Sequence, residues 1–318
     1  MEERLRELLP TRYFHVVFTL PYGLHSLVWG HRKELFKLLF DSAAHCLLTL
    51  SKDPRYLGAV PAITAVLHTW GQQLQFHPHV HCIVSGGGAD GNNQWHKLKK
   101  GFGDFLFPYE VMMPLYRGYF LDHLNKMVKD GTVRVPENTH WPKLRDCLYK
   151  TKWTVYAKSP VHSPDKVVEY LARYTQKIAI SNHRIKHVDE RGVVFTWKDY
   201  RQGGKRKTMR LSQGEFLRRF STHILPPRFV RIRHYGLLTN RNRKTRLKAI
   251  MENMGMQPQA EVLQVSPEVK RLLTFGSSAI QCTACNQGHL VLVGVVYPCA
   301  RGDPAKEIIP ILQNRQAV

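Results

Sequence analysis

Three histidines at alternate positions, in the run His77-Pro78-His79-Val80-His81, are the first residues of this chain equipped for chemistry. Alternate side chains of a strand share a face, so a strand here lines the imidazoles up on one side. Imidazole nitrogen is a good ligand for divalent first-row metals, and an i, i+2 pair on a strand offers two ligands with a fixed bite. Further along, Tyr170-Leu171-Ala172-Arg173-Tyr174 sets two tyrosines four apart, neighbours on adjacent turns of a helix. A phenol, with a pKa near about 10, is a poor nucleophile at neutral pH. Attack on a phosphodiester becomes feasible when a metal polarises the phosphate and stabilises the displaced oxygen. A histidine-bound metal facing a tyrosine pair is therefore equipment for opening a DNA strand through a phosphotyrosine bond.

Each half has a plainer reading beside it. A histidine cluster on a surface strand can be without function. Here apolar Cys82, Ile83 and Val84 follow, so the strand enters a core and holds its ligands rigidly. His79 and His81 form the principal pair. The third ligand stays open among His77, Gln176 on the tyrosine helix, and His68 on the preceding apolar run. Imidazole mixed with phosphate oxygen suits Mg2+ or Mn2+, and Zn2+ would also bind. Tyr174 falls on the apolar stripe Val167-Leu171-Ile178 and could equally be core. Arg173 and Lys177 lie on the same helix and could contact phosphate.

The elements that must position these groups follow from periodicity. Residues 13–20 (YFHVVFTL) read as a strand closed by Pro21. Residues 27–50 follow as one helix with Leu35, Leu38, Leu39, Ala43, Cys46 and Leu47 on its apolar side. Strands are expected over 63–70 and 79–85, with Gly86-Gly87-Gly88 breaking the second. A helix over 109–129, a strand over 153–157 and a helix from Pro164 to about Ala179 come next. The order strand, helix, strand, strand is that of a ferredoxin-like or split βαβ layout, an α+β class with an antiparallel sheet under helices. From Asn182 to Leu211 the pattern turns to short strands, with a helix near 213–224 after them. The expected organisation is 1–180 as catalytic domain, 181–250 as a smaller β-rich and helical basic region for DNA contact, and 251–318 as a tail.

The chain has 318 residues, and 47 lysines and arginines against 24 aspartates and glutamates give a formal charge of +23. So large a surplus points to a polyanionic partner through counterion release and steering. Attachment to a membrane or an acidic protein ranks second, because no basic amphipathic helix with a strong apolar face stands out. No apolar run reaches the length of a membrane span, so no membrane partner is expected. The opening MEERLRELLP lacks the apolar core of a signal peptide, and six cysteines without one argue for a reducing cytosol. Arg231, Arg233, Arg241, Arg243, Lys244 and Arg246 crowd together with Phe229 and Tyr235 close by, which suits a single-strand path. Arg201, Lys205, Arg206 and Lys207 could add a second contact. The bland reading of both is a solvated basic face. Cys282-Thr283-Ala284-Cys285 is half of a zinc ribbon, with only His289 and Cys299 near enough to complete a Zn2+ site.

In combination, HPHVHCIVSGGG followed by EYLARYTQK resembles the two-tyrosine rolling-circle transposases of bacterial insertion sequences, which are HUH endonucleases. Further matches are ELLPTRYFHVVFTLP, VLHTWGQQLQFHPH and RFVRIRHYGLLTNRNR, so the resemblance covers most of 8–250. It implies His79 and His81 as metal ligands and Tyr170 and Tyr174 as nucleophiles. It also implies a nick in single-stranded DNA at the ends of a mobile element, a 5′-phosphotyrosine and a free 3′-OH, and joining to a target. The same chemistry would serve a rolling-circle replication initiator, and a non-catalytic DNA-binding remnant is the third reading. No GxxxxGK[ST] loop is present, so unwinding would come from host replication or helicase proteins. The implied location is the bacterial cytoplasm, at the nucleoid. Members of the family usually carry a cysteine-rich zinc-binding domain ahead of the ELLP segment. The expectation is a chain without it, its recognition of element ends weakened.

Overall fold

A computed structural model describes residues 8–98, 106–161, 179–243 and 245–256, with two short strands at 294–295 and 309–310. The chain divides into two compact units, 1–257 and 258–318.

The first strand, β1 (Tyr13–Thr19), turns Phe14, Val16 and Phe18 to one side, where all three are buried. His15, Val17 and Thr19 face the other way, as strict alternation requires. Two helices follow, α1 (His25–Gly30) and α2 (Arg32–Lys52), where the sequence reads as one. The break sits at His31, whose φ and ψ of −129° and 50° are not helical. Gly30, a weak helix former, ends the first piece, and the His31 ring accepts the Arg134 backbone N–H at 3.1 Å.

The strands β2 (Val60–Trp70) and β3 (Phe76–Ala89) pair next, and β4 (Trp95–Lys97) folds back on the end of β3. The expected break of the third strand at Gly86-Gly87-Gly88 does not occur. These glycines stay in the sheet because neighbours crowd them. A Cβ on Gly88 would meet the Val60 carbonyl oxygen at 2.6 Å, and one on Gly87 the His96 carbonyl oxygen at 2.6 Å. Glycine here marks close approach of chains rather than a turn.

Helices α3 (Tyr109–Lys129) and α4 (Trp141–Lys150) lead to β5 (Thr154–Val161). The main sheet has the order β5-β1-β3-β2-β9, where β9 is Ile232–Gly236. The strand β3 is antiparallel to both β1 and β2, so those two run parallel with β3 inserted between them. That is the split βαβ of a ferredoxin-like fold. The strand β9 was not foreseen. It carries Arg233 and His234 among Ile232, Tyr235 and Gly236, and it is held by pairing with Ala62–Val66 of β2. Buried residues of α2 and α3, among them Leu39, Phe40, Tyr116 and Phe120, pack on Phe14, Val16 and Phe18 in one core. The helices thus cover one face of the sheet and leave the histidine face to other partners.

A second, three-stranded antiparallel sheet is built from β6 (Ile185–Asp189), β7 (Gly192–Asp199) and β8 (Lys205–Leu211), close to where short strands were expected. Helix α5 (Gln213–Ser221) follows, capped by the Ser212 hydroxyl accepting from the Glu215 N–H. Phe195 of β7 and Phe216 and Phe220 of α5 pack with Trp70 and Leu74 of the β2–β3 connection. Two short helices, α6 (Asn240–Arg243) and α7 (Arg246–Asn253), close the first unit. In the second unit Gly294–Val295 pairs antiparallel with Ile309–Pro310. The expected tyrosine helix and the Cys282-Cys285 pair lie outside the described residues.

Candidate metal centre and nucleic-acid cleft

Register brings the imidazoles together. On β3, His79 lies opposite Thr19 of β1 and His68 of β2, and His81 opposite Val17 and Val66. His68, His79 and His81 therefore share the open face of the sheet, and one ring nitrogen from each lies within 4.8 Å of the others. His68 is 5% exposed and stacks on Trp70 with ring centroids 4.4 Å apart. His77 is on the same face, its ring 5.2 Å from that of His79, but it is outside the three-nitrogen group. Gln176, the other candidate, lies outside the described residues.

Hydrogen bonds fix two of the rings. The His79 Nδ1–H donates to the His77 carbonyl oxygen at 2.7 Å, and His81 Nδ1 meets His15 Nε2 at 2.7 Å. Both Nδ1 atoms are engaged, so a metal here would be held through Nε2 of each. Burial first, then the neighbouring His68 and His77, holds the His79 pKa well below that of free imidazole. Burial also lowers His77. Neutral imidazole is the form that binds metal. Three imidazoles converging at an open cleft fit a divalent first-row ion that keeps positions free for substrate oxygen.

The triad floors a cleft of about 1350 Å³. One edge of the floor is Tyr156 of β5, in register with Val17 and 54% exposed. The wall comes from the small sheet and its approaches: Arg184, Lys186, Trp197, Tyr200, Arg201 and Arg206. Tyr200 is 71% exposed at the tip of this wall. The acid in the lining, Asp199, is ion-paired with Lys207 at 2.8 Å. Arg184 anchors the wall: its guanidinium donates to the Thr196 carbonyl at 2.8 Å and to the Gln72 carbonyl at 2.5 Å, and burial lowers its pKa. Arg219 donates to the Gln73 carbonyl at 3.0 Å. The β2–β3 connection is thus the socket into which the small sheet fits.

The basic segment near residue 231 is distributed differently from a continuous path. Arg231 packs over the Trp70 ring at 5.7 Å. Arg233 points to the helix side of the sheet, over Phe40 at 4.5 Å and Phe229 at 5.3 Å, with Asp41 at 4.0 Å. Arg246 donates to Asn93 Oδ1 at 2.7 Å and to the Asp90 carbonyl, tying α7 to the turn after β3. Arg241 is exposed and Arg243 half-buried. Tyr170, Tyr174, Arg173, Lys177 and Lys244 lie outside the described residues. Sequence reading missed His15, Trp197 and Tyr200. The alternation His15-Val17-Thr19 in β1 was the available signal for the first. Nothing local marked the other two, because the wall is assembled by a contact distant in sequence.

The family model described as "Putative transposase" (Y2_Tnp) matches residues 62–246. The protein "Putative transposase y4qJ" of Sinorhizobium fredii is 40% identical over 307 residues, covering 93% of this chain and 76% of its own length. The "Transposase for insertion sequence element IS801" of Pseudomonas savastanoi pv. phaseolicola is 30% identical over 281 residues, covering 85% of this chain and 65% of its own. Among solved structures, that of TrwC complexed with a 27-mer DNA aligns over 76% of this chain and 74% of its own. Its identity is 12% and its TM-score 0.29, too low to inform the fold. With the match across 62–246 and the two relatives, the chain belongs to this family of transposases.

Proposed function

We propose that this transposase nicks and rejoins single-stranded DNA through tyrosine, at a divalent ion held by His68, His79 and His81. The observation that carries the reading is the imidazole triad on the floor of a cleft whose wall is basic and aromatic. A phosphodiester is an anion and its bases are flat rings, and the wall offers a partner for each. Arg201, Arg206 and Lys186 follow the backbone, while Tyr200 and Trp197 supply faces on which unpaired bases stack. When bound, Mg2+ or Mn2+ would supply positive charge to the scissile phosphate.

The residues of the chain do the rest. Tyr170 or Tyr174 provides the nucleophilic oxygen. The Oη–P bond forms as the P–O3′ bond breaks, the tyrosine loses its proton, and the departing 3′-oxygen takes one up as a free 3′-OH. The 5′-phosphate stays on tyrosine, which conserves the bond energy for joining. Attack by a 3′-OH on that phosphotyrosine reverses the balance and restores the phenol. A second tyrosine four residues away in the sequence allows a second strand end to be held while the first is joined. The substrates are single strands at element ends and at the target, with host replication or helicase proteins exposing them. Cys282 and Cys285 offer a separate pair of thiolates for Zn2+.

The test is a denaturing-gel assay for covalent protein–DNA adduct on single-stranded oligonucleotides from the flanks of the element, with Mn2+. The expected result is an adduct that disappears in Tyr170→Phe/Tyr174→Phe and is weakened in His79→Ala. An adduct that survives the double substitution refutes the assignment of the nucleophiles. Tight strand binding without any adduct refutes the chemistry.

A further inference from the structure

We propose that His15 is a positioning residue for the metal centre: it accepts the Nδ1 proton of His81 and so commits the His81 Nε2 lone pair to the metal. The inference rests on the histidine triad holding a divalent ion, as set out above.

The geometry is specific. His15 lies on β1, on the same face as Val17, and Val17 is the cross-strand partner of His81. Its ring is 2% exposed and its Nε2 is 2.7 Å from His81 Nδ1. The two ring planes are within 6° of each other and the centroids are 5.0 Å apart, the separation of two rings joined edge to edge through the 2.7 Å bond. A hydrogen bond between two imidazole nitrogens needs one proton and one lone pair. If His81 is to ligate through Nε2 as a neutral ring, its proton must sit on Nδ1. His15 must then accept at Nε2 and carry its own proton on Nδ1. His79 solves the same problem through a backbone carbonyl, with its Nδ1–H on His77 at 2.7 Å. His81 lies deeper in the strand, where the sheet's own ladder occupies the carbonyls, and it takes a side chain instead.

The choice of acceptor has a chemical consequence. Metal-bound histidines commonly hand their second N–H to a carboxylate, which orients the ring but adds negative charge beside the metal. A neutral imidazole orients His81 equally and adds none. The acid lining this cleft, Asp199, is already paired with Lys207. The positive charge of a bound ion is thus left to the phosphate.

The experiment uses the full chain with histidines labelled by 15N, and reads two quantities. Nitrogen–proton correlation spectra of the metal-free protein report the tautomer of His81. Calorimetry reports Mn2+ affinity. Wild type should show His81 protonated at Nδ1 and a Mn2+ isotherm that His79→Ala abolishes. His15→Leu, which fills the space without an acceptor, should weaken Mn2+ binding about ten- to a hundredfold. Its metal-free binding of single strands should be unchanged, and its thermal unfolding should fall modestly because the buried His81 donor loses its acceptor. His15→Gln, which returns an acceptor oxygen, should recover most of the affinity. A wild-type His81 protonated at Nε2 overturns the proposal, and so does His15→Leu binding Mn2+ as tightly as wild type. Should His15→Leu fail to fold, His15→Gln decides: affinity near wild type supports the acceptor role, and a hundredfold loss in a folded protein overturns it. A wild type that takes up no Mn2+ sinks the metal centre itself, whereas uptake indifferent to His15→Leu sinks only the role of His15.

Discussion

The buried histidine face makes the fold acid-sensitive in a way that can be traced to one residue. The His79 pKa is held well below its unfolded value of 6.5, with burial as the main cause and His68 and His77 adding to it. The unfolded chain therefore takes up a proton near pH 6.5 that the folded chain refuses. Stability is complete above that value and falls as pH drops below it, until the folded pKa is reached. For a group whose folded pKa lies well below that of free imidazole, going from about pH 7.5 to about pH 5.5 costs on the order of 1 kcal/mol. His77 and His223, both lowered by burial, add smaller losses of the same sign. The assay is urea unfolding of the metal-free chain at both pH values, for wild type and His79→Gln. Substitution changes the baseline stability, because the bond to the His77 carbonyl is altered. The comparison is therefore of the acid-induced loss within each protein. Wild type should lose on the order of 1 kcal/mol more than the variant. Equal losses would refute the claim that His79 is folded in its neutral form.

Three further outcomes follow from particular contacts. Gly88→Ala places a Cβ 2.6 Å from the Val60 carbonyl oxygen, a backbone atom that cannot step aside. It should cost about 1–3 kcal/mol in thermal unfolding, and an unchanged Tm would contradict the close approach. Arg184→Met removes the donors to Thr196 and Gln72 that seat the small sheet. Charged hydrogen bonds are worth about 1.5–3 kcal/mol each, partly offset here by relief of a buried charge, so cleavage at the Gly203-Gly204 turn by limited proteolysis should quicken. Protection equal to wild type would place the anchor elsewhere. Tyr200→Ala should weaken single-strand affinity by about 1–3 kcal/mol without altering its salt slope, whereas Arg201→Glu with Arg206→Glu should flatten the slope. Affinity untouched by the first change would show that bases do not stack at the tip of the wall.

The legible parts of this chain are those written in short-range period. Short β-rich apolar runs bounded by Pro and Gly revealed β1, β2 and the histidine strand, and the helix over 109–129 was also legible. Alternation also put His79 and His81 on one face, because that property belongs to any strand. What sequence left open was which other imidazole joins them. His68 is brought opposite His79 by cross-strand register, and register depends on where a connection turns, not on the residues of either strand alone. The glycine run misled because a single sequence cannot tell a glycine that turns the chain from one that makes room for a neighbour. Arg233 misled for a related reason. A basic residue in a charge run with aromatics reads as part of a single-strand path, yet β9 pairing turns Arg233 onto the aromatic rings of Phe40 and Phe229 on the helix side.

The arrangement as a whole explains how a ferredoxin-like sheet can carry a histidine-floored cleft. Helices α2 and α3 cover one face and bury the large apolar side chains, so the sheet is stable without help from the other face. That freedom is what permits polar histidines in the middle of a sheet. Their cost is met locally, by the His77 carbonyl for His79 and by His15 for His81. The small sheet then closes over the exposed side through Trp70, Leu74 and Phe195, raising a basic wall beside the imidazoles. The floor and the wall come from separate hydrophobic clusters. A substitution that loosens the wall should therefore lower strand affinity and leave Mn2+ affinity alone, and one in the floor should do the reverse.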